Sequence, residues 1–420
     1  MSNEKPLREK LNILVIAINY SPEPTGSAPY TAGLAEMLAE EGHHVEAFVG
    51  IPHYPWWGVL SQDRFRLRRS EKRNNVQVRH YRHFVPGKQT MFRRVAWEFT
   101  FYVNVLASIP KNRPELIIAS TPSLSGALLG VFFSKKYRIP LITVVQDVVG
   151  EAVTKSGLKV GSTIGKIVGS VERVAFRNSS RVCVASPSFK QYVVQSDLRS
   201  DRIILLPNWS HIPSPTKSRE ESRSAFGWGE NDITVLHTGN MGLKQDLGNL
   251  VRTAKLFQNE PNYRFILCGD GNQKSKLEKL AKGISTIEFM SPVSHSEYPN
   301  LLSAADILIV NERDSVGDMS LPSKLTSYLL AGKPIIAAVS EGGACAVELK
   351  KTGGAAVVVP PNRPDLLSTA VRNLINSPHK TQKMSEAGLA YANKVLTKEI
   401  ARERILRIIH DLMGDNEFYV

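Results

Sequence analysis

Short apolar, β-rich runs alternate with helix-period stretches along the whole chain, and this alternation breaks once and then restarts. The runs of the first half are Ile13–Ile18, Val45–Val49, Leu116–Ala119, Leu141–Val145 and Arg181–Ala185. Those of the second are Thr234–His237, Arg264–Cys268, Thr286–Phe289, Ile307–Val310, Ile335–Ala338 and Ala356–Val359. Apolar residues at consecutive positions mark strands buried on both faces, the state of a parallel sheet covered by helices. Segments such as Tyr30–Glu41, with Leu34, Leu38 and small alanines at helical spacing, supply the helices. Pro207–Glu230 is rich in Pro, Ser and charge and keeps no period, which reads as a connection. The expectation is an α/β chain of two Rossmann-like, doubly wound domains: 1–208, a linker over 209–231, and 232–393. A helix over 394–420, with Val395, Ile400, Ile405, Ile408, Ile409 and Leu412 on one period, is expected to pack back on the first domain. Facing domains of this kind would place a ligand cleft beyond the carboxyl ends of their strands.

A chain of 420 residues exceeds one ordinary core, which agrees with two domains. The 53 Lys and Arg against 39 Asp and Glu give a formal charge of +14, a surplus that attracts phosphates, anionic lipid or nucleic acid. No helix-turn-helix, RNA-binding-sheet or zinc-finger pattern accompanies it, so nucleic acid is not expected. Cys183, Cys268 and Cys345 are widely spaced and form neither a disulfide framework nor a metal-ligand pattern, which points to a reducing compartment. The apolar run near the N-terminus is too short for a leader and reads as a first strand. No stretch reaches the roughly 20 apolar residues of a spanning helix, so any membrane contact is expected to be peripheral.

Three stretches of the second half carry chemistry. In VLHTGNMGLKQDLGNL a strand runs into a glycine-spaced turn and a helix, where Gly239 and Gly242 admit close approach of a ligand and Lys244 adds positive charge, a combination that suits a diphosphate. A structural turn explains the same spacing equally well. In FILCGDGNQKSKL, Gly269 and Gly271 flank Asp270 after a strand, either as a nucleotide-facing loop or as a connection that needs glycine conformations. The third glycine of the dinucleotide fingerprint is missing, so no nicotinamide or flavin cofactor is expected. In NERDSVGDMSLPSKLTSYLLAGKPIIAAVSEGG, Pro322 and Ser323 open a helix whose first turn contains Lys324, a charge that opposes the helix dipole unless an anion lies nearby.

Together these stretches, with INYSPEPTGSAPYTAGLAEMLAEEGHHVEAFVGIPHYPWW, VVQDVVGEA, LPNWSHI, LLSAADILIV and VVVPPNRPDLLSTAV in order along almost the whole chain, resemble the retaining family-4 glycosyltransferases, in the branch of the colanic-acid and related exopolysaccharide enzymes. The resemblance implies a GT-B fold, a nucleotide-sugar donor held mainly by the second domain, an acceptor held by the first, and no metal or other cofactor. It places Asn240 and Lys244 at the diphosphate and Pro322, Ser323 and Lys324 at the loop-to-helix element beside the donor. Where many relatives carry paired glutamates, Met319 and Ser327 stand here; Ser327 is expected at a ribose hydroxyl, and Asp314 or Asp318 at the donor sugar. Gly26 and Ser27 follow the first strand where relatives bring backbone near donor phosphates and acceptor, with a rigid turn between Pro24 and Pro29 as the competing account. Asp147 matches a polar active-site position, with Glu151 about one helical turn later; a carboxylate there orients or deprotonates an acceptor hydroxyl, or caps the next helix. Retention in this family needs no placed nucleophile, because the departing phosphate oxygen takes the acceptor's proton while Lys244 and Lys324 stabilise its charge.

His53, Tyr54, Trp56 and Trp57 in IPHYPWWG offer aromatic faces to an acceptor glycan, or close a local packed corner. The segment from Arg64 to Arg94, followed by Trp97, Phe99, Phe101 and Tyr102, sets arginines and lysines with little local acid beside aromatic surface. That mixture suits an anionic membrane face and a polyprenyl-diphosphate-linked acceptor, at the cytoplasmic side of the plasma membrane. A core helix with a solvated basic face is the alternative. The overall expectation is a metal-independent glycosyltransferase; the rivals are a catalytically silent GT-B scaffold and a sugar-nucleotide epimerase.

Overall fold

The computed structural model describes residues 10–24, 26–87, 90–148, 159–210, 212–314 and 322–414, without the side chains of 159–164 and 167. The chain divides into two compact units, one ending at Pro207 and taking in the chain again from Ala401, the other Asn208–Ile400.

The first unit carries β1 (Asn12–Ala17), β2 (His44–Gly50), β3 (Arg68–Arg73), β4 (Val76–Tyr81), β5 (Leu116–Ser120), β6 (Leu141–Val145), β7 (Arg181–Val184) and β8 (Ile203–Leu205). Their order in the sheet is β3-β4-β2-β1-β5-β6-β7-β8, parallel except between β3 and β4. The winding runs outward from β1 through β2 and then restarts on the other flank with β5, so the switch point lies at the carboxyl ends of β1 and β5. Helices α1 (Ala28–Glu40), α2 (Met91–Leu106) and α3 (Leu124–Tyr137) belong to this unit. Leu14, Ile16, Phe48, Phe101 and Phe133 share one buried cluster, each such side chain stabilising the fold by roughly 1.5–3 kcal/mol.

The basic segment differs from its expectation. Arg68–Tyr81 is an antiparallel hairpin turning at Asn74 and Asn75, whose φ angles of 44° and 64° are those a type I′ turn demands. Arg69 pairs with Asp63 at 2.9 Å and also with Glu71, and Arg79 pairs with Glu46 at 2.7 Å. These arginines do meet local acid, because the fold brings carboxylates from the turn before β3, from β3 itself and from β2 alongside them.

The second unit is a six-stranded parallel sheet of β9 (Ile233–Thr238), β10 (Tyr263–Cys268), β11 (Ile287–Met290), β12 (Ile307–Asn311), β13 (Ile335–Ala338) and β14 (Ala356–Val359). The order β11-β10-β9-β12-β13-β14 is that of a Rossmann sheet, with its switch point between β9 and β12. The expected linker is part of this unit. Ser218 and Glu221 form a capping box on the helix Arg219–Ala225, and buried Arg223 donates to the carbonyls of Gly229 and Ala304 and pairs with Asp306. Local Ser, Pro and charge signalled a loop; the capping box and a buried arginine make it structure.

The tail period is also interrupted. One helix ends at Val395 and a second spans Lys398–Gly414, with Leu396 and Thr397 between them. Ala401, Ile405, Ile408, Ile409 and Leu412 of the second helix are buried, and Arg402 pairs with Glu40 at the end of α1. No helix among the described residues is long and apolar enough to cross a membrane.

Candidate functional site

In the second unit the switch point is formed by the ends of β9 and β12. His237, on β9, is fully buried; its Nδ1 meets the Ile309 carbonyl at 3.1 Å, and its Nε2 lies 3.0 Å from Lys324 Nζ. The arrangement assigns Nδ1–H as donor and leaves Nε2 to accept from the ammonium. Burial, reinforced by Lys324, lowers the His237 pKa well below the ordinary value, so the ring is neutral. Lys324 is itself pushed down to about 7 by burial, opposed by the charge of Glu312. Glu312, just past β12, is pushed up to about 7 by burial, opposed by Lys324 and Lys244. An ammonium and a carboxyl that both change charge near neutrality, beside a neutral imidazole, form a site whose charge is easily reset by an incoming anion.

The glycine turns around this cluster support one another. Gly239 N donates to the Cys268 carbonyl at 2.8 Å, Met241 N to the Asp270 carbonyl at 2.8 Å, and Gln273 N to the Met241 carbonyl at 3.0 Å. Gly269 has φ +154°, and a Cβ there would stand 1.9 Å from the Gly239 carbonyl oxygen. Packing of one turn on the other therefore requires glycine at 269. Gly271 follows the same logic, a Cβ meeting the Met241 carbonyl at 2.5 Å. Gly239 itself opens towards Lys324, whose Nζ would lie 3.8 Å from an added Cβ.

The remaining positions of this unit divide. Lys244 is exposed, and its carbonyl accepts from Arg313 N at 2.8 Å, docking the turn on the segment after β12. Exposed Asn240 reaches Gln245 at 3.5 Å. Pro322 is half-buried and Ser323, at the start of the helix Lys324–Leu330, makes no side-chain cap. Ser327 is buried and its hydroxyl meets the Tyr298 phenol, within a network in which Thr238 Oγ1 contacts Tyr298 and Tyr328 at 2.8 and 3.1 Å. A buried hydroxyl already bonded in this network is not presented to a ribose, which corrects the expectation for Ser327. Asp314 accepts from Ser340 at 2.6 Å. Asp318 and Met319 lie outside the described residues. Asn311, which the sequence did not single out, donates to the Gln245 and Asp246 carbonyls at 2.7 and 3.1 Å and accepts from Asn249 at 2.9 Å, so it pins the Lys244 turn to β12.

In the first unit, Gly26 has φ +72° and lies under Tyr54, whose ring would be 3.5 Å from an added Cβ. Ser27 precedes α1; its carbonyl accepts from Thr31, and Thr31 Oγ1 reaches Ser120 Oγ at 3.1 Å across the switch point. Asp147, after β6, accepts from Val148 N at 2.9 Å, and its carbonyl accepts from Thr121 Oγ1 at 3.3 Å. Glu151, and Lys88 of the basic segment between Arg64 and Arg94, lie outside the described residues. Tyr54 is half-buried, but His53 is fully buried, enclosed by the rings of Trp57, His83 and Trp97. Its side chain is part of the packed corner and does not offer a face to an acceptor.

Two carboxyls that the sequence did not reveal hold this region. Glu23 accepts from His53 N, Tyr54 N and Asn19 at 2.8, 2.9 and 2.8 Å, and burial raises it to about 7. His53 Nδ1 lies 3.1 Å from Glu23, yet burial lowers His53 to about 4, so this contact involves a neutral ring. Glu98, on α2, accepts from Ser123 Oγ, Leu124 N and Ser125 N at 2.9, 3.2 and 2.9 Å, capping α3 from another helix. No group of three or more His, Cys, Asp or Glu among the described residues is arranged to hold a metal ion.

Residues 25–209 match the glycosyl transferase 4-like domain, and residues 218–390 match the domain of the glycosyl transferases group 1. The putative colanic acid biosynthesis glycosyl transferase WcaI of Escherichia coli K12 is 28% identical over 418 residues, covering 96% of this chain and all of the relative. A solved sucrose-phosphate synthase from Thermosynechococcus elongatus superposes with a TM-score of 0.74 at 16% identity, covering 96% of this chain and 100% of that one. The Anabaena protein HepE, solved with UDP-glucose, superposes with a TM-score of 0.68 at 17% identity over 96% of this chain and 100% of that one. The shared fold is GT-B.

Proposed function

Because the chain belongs to the glycosyltransferases that join a 4-like domain to a group 1 domain, we propose that it moves a sugar, with retention of configuration, from a nucleoside diphosphate to a glycan acceptor. The acceptor is a polyprenyl-diphosphate-linked glycan, and the product belongs to an exopolysaccharide or lipopolysaccharide-type polymer, a reading supported by the similarity to the E. coli colanic acid transferase. The protein works as a peripheral enzyme at the cytoplasmic face of the membrane.

The observation that carries this reading is Lys324 at the β9–β12 switch point, half-buried and held near neutrality beside His237 and Glu312. A donor diphosphate placed there restores the ammonium, and a charge-assisted hydrogen bond of this kind contributes about 1.5–3 kcal/mol. In the reaction the acceptor oxygen bonds to the anomeric carbon, the bond to the phosphate oxygen breaks, and that oxygen takes the acceptor's proton on the same face. Lys324 and exposed Lys244 offset the charge that develops on the diphosphate, so the proposal needs no metal ion. Asp147 and Glu151 orient the acceptor hydroxyl, with Gly26, Ser27 and Tyr54 shaping its approach.

The test is nucleotide binding. UDP, GDP and ADP are compared by thermal shift, and one of them is expected to stabilise the protein saturably, with Lys324→Ala weakening the effect. Absence of stabilisation by all three and by their sugar conjugates would leave the scaffold reading in place of the enzyme.

A further inference from the structure

Helix α2 is apolar on two opposite faces. Phe101 and Val105 are buried against the sheet, with Trp97 and Leu106 beside them. Phe92, Val95, Phe99 and Val103 recur at spacings of three and four residues on the opposite side, and all are exposed, Phe92 to 81% and Phe99 to 64%. The stripe is about 16 Å long at 1.5 Å per residue. A helix of a water-facing surface carries polar residues there, so an apolar stripe needs a partner.

The neighbouring chain extends the same surface. Phe65, 91% exposed, and exposed Leu67 precede β3, and exposed Phe84 follows β4. Arg82 N donates to the Leu67 carbonyl at 3.0 Å, Asn104 of α2 donates to the Arg82 carbonyl, and Phe84 N donates to Thr100 of α2 at 2.8 Å. These bonds tie the apolar loop to the helix as one patch, and Glu98 anchors α2 to the start of α3. Arg64, Arg66, Arg68 and Arg93 are exposed around it, and unlike Arg69 and Arg79 they form no ion pair with a carboxylate among the described residues.

We propose that the exposed face of α2, with Phe65, Leu67 and the unpaired arginines, is the surface by which this protein docks on an anionic bilayer, the phenylalanines entering the headgroup region. Aromatic and aliphatic side chains bury themselves at the acyl boundary while arginines meet lipid phosphates, and each cation near such a surface strengthens binding about five-fold. The arginine ring is what selects a bilayer over a second copy of the chain, since two copies of this patch would bring like charges together. The inference deepens the reading of a lipid-linked acceptor, which it would bring to the first unit in the plane of the membrane.

The test uses the full chain in vesicle flotation, with phosphatidylcholine vesicles with and without phosphatidylglycerol. The wild type is expected to float with the anionic vesicles and to be released by salt. The Phe92→Ser/Phe99→Ser variant is expected to lose about ten-fold or more of this partitioning, and Arg64→Gln/Arg66→Gln to lose the preference for anionic lipid. A Phe99→Trp variant supplies an independent arm: the emission it adds to that of the wild type should shift to the blue on anionic vesicles and be quenched by brominated acyl chains. Nucleotide stabilisation is measured on every variant and should be unchanged, so a failure of docking is distinguished from a failure of the transferase reading. Wild-type protein that ignores both vesicle types, or added emission from the Phe99→Trp variant that stays unquenched on them, would overturn the proposal. So would a serine variant that floats as before while a wild-type dimer becomes a monomer.

Discussion

Replacing Lys324 by Met removes the ammonium but keeps much of the stem that packs under Gly239. A charge-assisted hydrogen bond to a diphosphate contributes about 1.5–3 kcal/mol, but the apo lysine must first be protonated. With its pKa pushed down to about 7, roughly a quarter of the molecules carry the charge at pH 7.5 and about three quarters at pH 6.5. Protonation therefore costs on the order of 1 kcal/mol at the higher pH and little at the lower. The sign is fixed by the direction of the shift: the cation is present below pH 7 and lost above it, and Glu312, raised to about 7, adds repulsion as it ionises over the same range. The nucleoside diphosphate that stabilises best should bind Lys324→Met roughly 3- to 40-fold more weakly at pH 7.5. The ratio of variant to wild-type Kd should grow about three-fold on going to pH 6.5, and taking the ratio cancels the nucleotide's own titration. Isothermal calorimetry in buffers of different ionisation enthalpy should also register proton uptake on binding to the wild type and less to the variant. A ratio that does not change with pH would refute the claim that Lys324 is the group that titrates at the donor.

Gly269→Ala puts a methyl group 1.9 Å from the Gly239 carbonyl oxygen and should destabilise the protein by about 3 kcal/mol or more, read by urea unfolding. Asn311→Ala frees the Lys244 turn from β12 and should raise the donor KM several-fold with a stability loss of about 1–3 kcal/mol. Glu23→Ala leaves the His53 and Tyr54 amides without an acceptor and should cost about 2–4 kcal/mol, whereas Glu23→Gln, which keeps an acceptor oxygen and carries no charge, should cost far less; denaturant unfolding at pH 7 separates the two. Chelation by EDTA should leave transfer unchanged if the lysines alone offset the diphosphate charge.

The sheets were legible because runs such as Ile13–Ile18 and Ile307–Val310 are short, rich in Ile and Val and apolar at successive positions, the pattern of a strand covered on both faces. The hairpin of β3 and β4 was hidden by charge: Arg68–Arg73 reads as a solvated run, and only the alternation of VQVRHY and the Asn74–Asn75 pair gave a signal. The helix Arg219–Ala225 was likewise signalled by Ser218 and Glu221 at capping-box spacing inside a stretch that composition marked as a loop. Lys324 stood out in the sequence because its charge opposes the dipole of its own helix. Its partners did not, since His237 meets it across the crossing from β9 to β12 and Glu312 acts on it through charge, relations of the tertiary fold with no local pattern. Glu98 capping α3 and Glu23 holding the His53 loop are of the same kind, carboxyls whose function is set by chain segments distant in sequence.

The reaction proposed for this chain is retaining transfer from a nucleotide sugar. Its most direct test is proton NMR of the purified enzyme with the matched nucleotide sugar and a lipid-linked glycan acceptor, following nucleoside diphosphate release and the anomeric coupling of the new linkage. Acceptor-dependent release is expected, with the donor's anomeric configuration kept in the product. Inverted configuration, or a donor that is bound but never transferred to any glycan, would contradict it.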